Sequence, residues 1–269
     1  MSNSIQGPAP RYGIVVTRNP ATLAPAPGRV PYGDVIRAAR MVAFLAAHAK
    51  PGFVFAVPRA LVRLFSGIGI PIVDQDEGSS TLAALPPGVH MPRFERLPFP
   101  PPLWSDPSIR LPLADGHRRV GLCWHGSGAH RSAAAVDEDP RCISPVALRS
   151  LLEVPGVAWV GLQLADHARE LPIQGLDTLG VRDFADTAGI MKQLDLIITI
   201  DTSVAHLAGN LAVPTWLLLA SDCDAGLWNV SPPYYPSVRQ FRQSEPGNWT
   251  SVISEVRTQL AERAALHKA

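Results

Sequence analysis

Several features that assign a protein to a functional class at once are scarce or absent in this chain of 269 residues. The formal net charge is +1, so there is no excess of one sign of the kind that binds nucleic acid or an anionic membrane. Three cysteines, Cys123, Cys142 and Cys223, lie far apart without metal-ligand spacing, which favours a reducing compartment over a disulfide framework. No run approaches the ~18 apolar residues of a spanning helix, and the N-terminus lacks the apolar core of a signal peptide. We therefore expect a cytoplasmic protein without a transmembrane segment.

Common catalytic motifs are also missing. The chain has no HExxH, no paired-carboxylate pattern and no nucleophile elbow, so a metal centre or a covalent nucleophile has little support. It has neither a P-loop nor a GxGxxG fingerprint, which disfavours an oxidoreductase of the Rossmann type. We expect neither a bound metal nor a cofactor.

The most informative stretch runs from Leu194 to Ala220. Its first seven residues form a mostly apolar run rich in β-branched side chains, which is typical of a strand buried on both faces of a parallel sheet. Three residues that favour helix N-caps follow, namely Asp201, Thr202 and Ser203, and then a short helix and a second buried strand. This strand–helix–strand unit predicts a ligand at the carboxyl edge of the sheet, where helix-end amides favour an anion such as a nucleotide pyrophosphate.

Predicted strands and helices alternate along the whole chain, more regularly in its second half. Strands are predicted at 12–17, 52–57, 70–73, 119–124, 157–162, 176–179, 194–200, 215–220 and 238–241. Helices are predicted at 34–49, around 61–65, and at 144–153, 165–171, 184–193, 203–211 and 250–267. Many of the 27 prolines fall in the first half, and residues 74–118 show no period. The pattern indicates an α/β protein with two Rossmann-like lobes and parallel sheets, a reduced, Pro-rich lobe at 1–115 and a regular lobe at 116–269.

Three polar loops, 125–141, 163–167 and 201–206, follow predicted strands and should meet at one sheet edge. In the first loop, Ser127 lies between two glycines that would let backbone amides approach a phosphate, although a plain flexible loop explains the composition equally well. Arg141 is the fixed positive charge near the next helix. It would pair either with a phosphate or with one of the nearby carboxylates of Asp137, Glu138 and Asp139.

His206 follows Asp201 by five positions, one turn into the short helix. A lone histidine at such a position is more often a satisfied core or cap residue than a catalyst. The residue type alone therefore leaves its role open.

Taken together, these segments resemble glycosyltransferase family 9, the heptosyltransferase-like proteins. The matching motifs, within 119–263, are DLIITIDTSVAHLAGNLAVPTWLLL preceded by DFADTA, then WHGSGAH, Arg141 with Ile143, GLQ at 161–163, YPSVRQFRQ and PGNW. The similarity is greatest to the domain that is attached to tetratricopeptide repeats in many bacterial proteins. The first half matches only through Gly33-Asp34 and the helix after it.

The resemblance implies a GT-B fold, in which the second lobe binds a nucleotide-activated sugar and the first binds the acceptor. The terminal helix would cross back to the first lobe. The implied activity moves a sugar, heptose-like, from a nucleotide-diphosphate donor to a saccharide or protein acceptor without a metal. The nucleotide sugar would be a co-substrate rather than a cofactor, and peripheral contact with a membrane is left open.

The resemblance also implies roles for particular residues. Asp34 would be the base that deprotonates the acceptor hydroxyl, so Asp34→Ala is expected to abolish transfer and leave donor affinity nearly intact. The donor-binding residues would be Asp201, Thr202, Ser203 and His206 around the diphosphate, Ser127 and Arg141 reaching the phosphates, and Gln163, Phe184 and Asp186 on the base and ribose side. Asp201→Ala is expected to weaken donor binding through loss of a helix cap.

The chain departs from the family pattern at two places. Pro31-Tyr32 replaces a glycine before Gly33-Asp34, and the segment SDCDAGLWN puts Asp222 and Asp224 near the phosphate site. A second interpretation is therefore a catalytically degenerate GT-B protein that binds a nucleotide or a partner protein. The position of Asp34 relative to the 201–206 loop separates the two.

Overall fold

The computed structural model describes residues 12–14, 32–48, 53–74, 97, 99–112, 116–126, 139–163, 170–223, 228–230 and 233–265. The strands are β1 Tyr12–Ile14, β2 Phe53–Val57, β3 Ile72–Asp74, β4 Arg118–Cys123, β5 Val157–Gly161, β6 Gln174–Gly175, β7 Leu196–Ile200, β8 Thr215–Leu219 and β9 Val238–Arg242. The helices are α1 Tyr32–Arg37, α2 Ala39–His48, α3 Val62–Phe65 after a 3-10 turn at Arg59–Leu61, α4 Pro145–Leu152, α5 Phe184–Met191, α6 Ser203–Asn210 and α7 Thr250–Ala265.

These strands form two parallel sheets. The first has the order β1-β2-β3 and the second the order β6-β5-β4-β7-β8-β9. In the second sheet, β4 lies between β5 and β7, so the chain reverses its direction of winding at this strand. The predicted α/β class with parallel sheets is confirmed, and the site is expected where β4, β5 and β7 end.

The apolar run of β7 is buried on both faces, as its composition predicts. Ile197 packs into one cluster with α5 and α6, whereas Ile198 and Ile200 pack into another with α4 and α7. Helices therefore cover the central strand from both sides and fix its carboxyl end at the edge of the sheet.

The first cluster is shared by the two lobes. Ile36 of α1 and Phe55 of β2 belong to the same buried core as Leu207 and Ala208 of α6. The side chain of Asn210 at the end of α6 also donates to the carbonyl of Ile36, at 2.6 Å. Helices of the second lobe thus pack directly on the first lobe.

The described part of the last helix lies on the second lobe. Val256 and Leu260 of α7 pack in the second cluster, and Arg257 Nε donates to the carbonyl of Ser150 in α4, at 3.0 Å. Over Thr250–Ala265 this helix packs on α4, and its return to the first lobe stays a prediction. None of the helices among the described residues is long and apolar enough to cross a bilayer.

The strand predicted at 176–179 is wrong. The residues that extend the sheet are Gln174 and Gly175, which pair with Val160 and Gly161, and the chain then turns. Leu176 is buried in this turn, so its apolar side chain does not mark a strand. Most of the helix predicted at 165–171, and residues 15–17 of the first predicted strand, lie outside the described residues.

Candidate functional site

The side chain of Gln163 organises the loop that follows β4. Its Oε1 accepts from the backbone amides of Trp124, at 3.3 Å, and His125, at 3.0 Å, and its Nε2 donates to the carbonyl of His125, at 3.1 Å. Gln163 follows β5 and is buried, so it ties together the ends of two neighbouring strands. The structure shows this role in loop positioning, and the base-side contact implied for Gln163 stays a prediction.

Arg141 joins the first loop to the third. Its guanidinium pairs with Asp139, with Nη2–Oδ2 at 2.6 Å, and its Nη1 donates to the carbonyl of Asp201, at 3.1 Å. A Cβ built on Gly126 would come within 3.4 Å of Arg141 Nη2. The nearby-carboxylate alternative is confirmed for Asp139, and the charge is held where the polar loops meet.

The N-terminus of α6 differs from those of its neighbours. Thr202 is the N-cap residue, but its side chain makes no cap hydrogen bond, and its hydroxyl donates to the carbonyl of Ile200 instead, at 3.4 Å. By contrast, the N-cap residues Ser144 of α4 and Asp183 of α5 accept from amides of their own helices. A side-chain cap hydrogen bond is absent at α6 among these described ends. The Ala205 amide donates to the carbonyl of Thr202, so the amides suited to an external anion are those of Ser203 and Val204.

The side chain of Asp201 does not cap α6 either, which corrects the cap predicted for this residue. Its Oδ2 accepts from the Cys223 thiol, at 3.6 Å, and its Oδ1 lies 3.9 Å from His206 Nε2. The carboxylate therefore stands beside the helix end, facing His206.

His206 is buried and has a defined set of neighbours. Its Nδ1 lies 3.2 Å from the hydroxyl of Tyr235, and its ring stacks on Trp228 with centroids 5.3 Å apart. Burial lowers the pKa of His206 to about 4, although the nearby Asp201 carboxylate acts in the opposite direction. The imidazole is therefore neutral at pH 7.

Asp34 lies in the first turn of α1, which packs on the first turn of α6. A Cβ built on Gly33 would come within 3.2 Å of His206 Cδ2 and 3.5 Å of the Ser203 amide nitrogen. The carboxylate of Asp34 pairs with Arg37, at 3.2 Å, and its charge also acts on His206. Gly33 thus lies against the start of α6, and Asp34 follows it closely enough for its charge to act on His206, while its role as the base stays a prediction.

Phe184 and Asp186 lie where the lobes meet. Phe184 contacts Tyr32 of α1 edge to face, with centroids 5.1 Å apart. The carboxylate of Asp186 is fully buried and accepts from Arg182 Nε, at 2.8 Å, and Arg63 Nη1, at 3.0 Å. Hydrogen bonds from Arg182, followed by those from Arg63, hold the pKa of Asp186 well below its usual range. The structure gives both residues a role in joining the lobes, and their ribose-side role stays a prediction.

The three cysteines converge on this edge, which their separation in the sequence gave no reason to expect. Cys123 lies 3.8 Å from the hydroxyl of Thr202, Cys142 accepts from the Gly126 amide at 3.4 Å, and Cys223 donates to Asp201. Burial raises the pKa of Cys123 to about 11 and that of Cys223 to about 12. All three are free thiols. Ser127 and Asp224 lie outside the described residues, and Asp222 is exposed.

Some known proteins resemble this chain in fold, and another resembles part of its sequence. No protein-family model matches the chain. The chain is 30% identical over 159 residues to Protein FlbA of Caulobacter vibrioides, a match that covers 55% of this chain and 26% of FlbA. The chain therefore spans about a quarter of the length of that curated relative.

Among the solved structures that resemble this chain are two bacterial glycosyltransferases. E. coli ADP-heptose lipopolysaccharide heptosyltransferase II has a TM-score of 0.56 at 12% identity, covering 90% of this chain and 98% of that one. The iron-containing dodecameric glycosyltransferase TibC of enterotoxigenic E. coli has a TM-score of 0.48 at 12% identity, covering 84% of this chain and 64% of that one. With its two parallel sheets and shared core, the protein has a GT-B-like α/β fold of the kind seen in heptosyltransferase II.

Proposed function

We propose that this protein binds a nucleotide-diphosphate sugar at the N-terminus of α6 and transfers its sugar, heptose-like, to a hydroxyl of a saccharide or protein acceptor. The observation that carries the proposal is the helix end left without a side-chain cap, with Asp34 of the other lobe beside it. In this proposal 1–115 is the acceptor-side lobe and 116–269 the donor-side lobe. The reaction takes place in the cytoplasm, without a metal, a further cofactor or nucleic acid.

The main requirement of this reaction is to stabilise the charge that develops on the leaving diphosphate. As the bond between the anomeric carbon and the diphosphate breaks, its electrons pass to a phosphate oxygen. The amides at the start of α6 donate to that oxygen, and Arg141 supplies a positive charge held in place by Asp139. Thr202, Ser203 and His206 complete the diphosphate side, together with Ser127 of the first loop. Gln163 and Phe184 form the base and ribose side. Asp186, whose carboxylate is paired with Arg182 and Arg63, supports this side by joining the lobes.

The acceptor hydroxyl must lose its proton as its oxygen bonds to the anomeric carbon. Asp34 is the proposed base, because it follows Gly33, which lies against the start of α6, and because its charge acts on His206. The proton passes to Asp34 and the diphosphate leaves with the electron pair, so atoms and charge balance.

Nucleotide binding tests the donor site. Calorimetry and thermal unfolding with ADP, UDP and GDP should show saturable stabilisation by at least one of them. Arg141→Ala should weaken that binding by about tenfold or more, because a charged hydrogen-bond donor is lost. Arg149→Ala, which removes the same charge from an exposed site on α4, should leave it unchanged. No stabilisation by any nucleotide, or equal losses in both variants, would contradict the proposal.

A binding protein without turnover is the second candidate. It is favoured by the ion pair between Asp34 and Arg37, which holds the proposed base, and by the core shared between the lobes. Release of nucleotide diphosphate from the bound donor, measured with and without saccharide acceptors, separates the two. Binding without acceptor-dependent release supports the degenerate protein.

A further inference from the structure

Tyr235 is packed against His206 by a contact that needs a glycine. A Cβ built on Gly209 would come within 2.5 Å of the Tyr235 ring, so only glycine in α6 leaves room for the ring. Trp228 covers the imidazole with a nearly parallel ring, 13° from its plane. The hydroxyl of Tyr235 is therefore held at Nδ1 of His206.

A neutral imidazole carries its proton on one nitrogen only, so the partner of each nitrogen decides the tautomer. Tyr235 is also protonated, because burial raises its pKa well above 10. With the proton on Nδ1, the lone pair of Nε2 would face the carboxylate of Asp201, 3.9 Å away, which is repulsive. With the Tyr235 hydroxyl donating to Nδ1, an N–H faces that carboxylate instead.

Other charges near His206 do not reverse this preference. Asp34 adds a second negative charge and Arg37 a positive one, and these two are themselves paired. The carboxylate nearest to Nε2 is that of Asp201. The local field therefore favours a proton on Nε2.

We infer that Tyr235 is a positioning residue, whose hydroxyl donates to Nδ1 of His206 and holds the imidazole proton on Nε2. A separation of 3.9 Å is too long for a hydrogen bond to Asp201, so this N–H can still donate to a closer oxygen. This consequence rests on the proposed function: a diphosphate bound at the start of α6 meets an uncharged donor there rather than a lone pair.

The spectroscopic test uses the ligand-free protein. A long-range ¹⁵N–¹H correlation spectrum at pH 7 shows which imidazole nitrogen carries the proton, and His206→Gln identifies the signals of this ring. The expected pattern has the proton on Nε2. In Tyr235→Phe the Nδ1 resonance should shift, because its hydrogen-bond donor is gone.

Tyr234→Phe is the matched control, since it removes the same atom from the neighbouring residue, whose hydroxyl donates to the carbonyl of Arg37. This variant should leave the His206 signals unchanged. With ADP, UDP and GDP as probes, Tyr235→Phe should lower nucleotide affinity by about three- to tenfold, the value of one hydrogen bond, and Tyr234→Phe should not.

A proton on Nδ1 in the wild-type spectrum would overturn the inference, and that spectrum decides even if Tyr235→Phe does not fold. An unchanged Nδ1 resonance in folded Tyr235→Phe would overturn it as well. If no nucleotide binds while the proton is on Nε2 and Nδ1 responds to Tyr235→Phe, the positioning role stands and the proposed function fails.

Discussion

The N-termini of α5 and α6 have almost the same backbone conformation, but only that of α5 is capped by a side chain. Both N-cap residues are extended, Asp183 at φ −157° and ψ −175° and Thr202 at φ −143° and ψ −179°. Asp183 accepts from the amides of Ala185, at 2.9 Å, and Asp186, at 3.2 Å, whereas Thr202 makes no cap hydrogen bond. A single side chain thus separates a closed helix end from an open one.

The charged side chains around these two helix ends also differ in what they contact. At α5, Arg63 of the first lobe pairs with both Asp183 and Asp186, so the closed end serves as a joint between lobes. At α6, Asp34 and Arg141 stand beside amides that no side-chain cap satisfies. Changes at α5 should therefore affect stability, and changes around α6 should affect binding and turnover.

The largest expected effect is on turnover. Asp34→Asn should lower kcat by about 100-fold or more and leave nucleotide affinity nearly unchanged, because it removes a general base without touching the diphosphate site. Steady-state kinetics and calorimetry measure the two quantities. Arg37→Ala, which breaks the ion pair but keeps the carboxylate, should stay within about threefold of wild type. Full turnover in Asp34→Asn would exclude Asp34 from the mechanism.

The second-largest expected effect is a loss of stability at the N-terminus of α5, the closed end. Asp186→Asn should lower the free energy of unfolding by about 2–3 kcal/mol, since a buried carboxylate that serves two partly exposed arginines is neutralised. Urea unfolding measures this, with the exposed Glu262→Gln as control. Nucleotide affinity should not change. A marked loss of affinity in folded Asp186→Asn would instead favour the ribose-side role.

Acid should act on the two ends in different pH ranges. His206 has a folded pKa of about 4, below its ordinary 6.5, so the unfolded chain binds its proton first and stability falls as pH drops from 6.5 to 4. The loss is about 2 kcal/mol between pH 7 and pH 5. The depressed pKa of Asp186 contributes stability that is present above its unfolded pKa and is lost below about pH 4.

Urea unfolding at pH 7 and pH 5 tests this division. His206→Gln should flatten the decline between these two pH values, and Asp186→Asn should not. Equal flattening by both substitutions would show that the two ends are not separate in their response to acid.

Opening the closed end should have a smaller effect. Asp183→Ala is expected to cost about 1 kcal/mol of stability through the lost cap, with nucleotide affinity unchanged. Thermal and urea unfolding provide the stability, and calorimetry the affinity. Weakened nucleotide binding in this variant would show that the Asp183 side chain contributes to the site.

Closing the open end is the reciprocal change and has the smallest effect on stability. Thr202→Asp should add about 0.5 kcal/mol or more, because aspartate in this backbone conformation caps the helix as Asp183 does. The same carboxylate would repel a diphosphate, so nucleotide affinity should fall while stability rises. A variant that gains stability and keeps its affinity would place the phosphates elsewhere.

Local patterns predicted most of the fold. The β-branched run of β7, the small residues of α6 and the buried β8 were found close to the predicted positions, because a parallel unit is encoded by neighbouring residues. The helices predicted at 144–153 and 184–193 were found at Pro145–Leu152 and Phe184–Met191. The failure at 176–179 came from an apolar residue, Leu176, that is buried in a turn.

The parts of the site that the sequence did not predict depend on long-range contacts. Arg63 reaches Asp186 across 123 positions, and no pattern along the chain signals this pairing. Tyr235 belonged to a motif already noted, YPSVRQFRQ, but its contact with His206 depends on the space that Gly209 leaves. For the same reason, the open end of α6 could be located from the sequence but not distinguished from a capped one.

The apolar core common to both lobes has a consequence for how the protein unfolds. One buried cluster contains Ile36 and Phe55 of the first lobe together with Leu207 and Ala208 of the second. Unfolding of either lobe would therefore expose apolar side chains of the other to water. A fragment starting at residue 116 would expose the inner faces of α5 and α6 and should aggregate. The intact chain should instead show one cooperative calorimetric transition, which a bound nucleotide shifts as a whole.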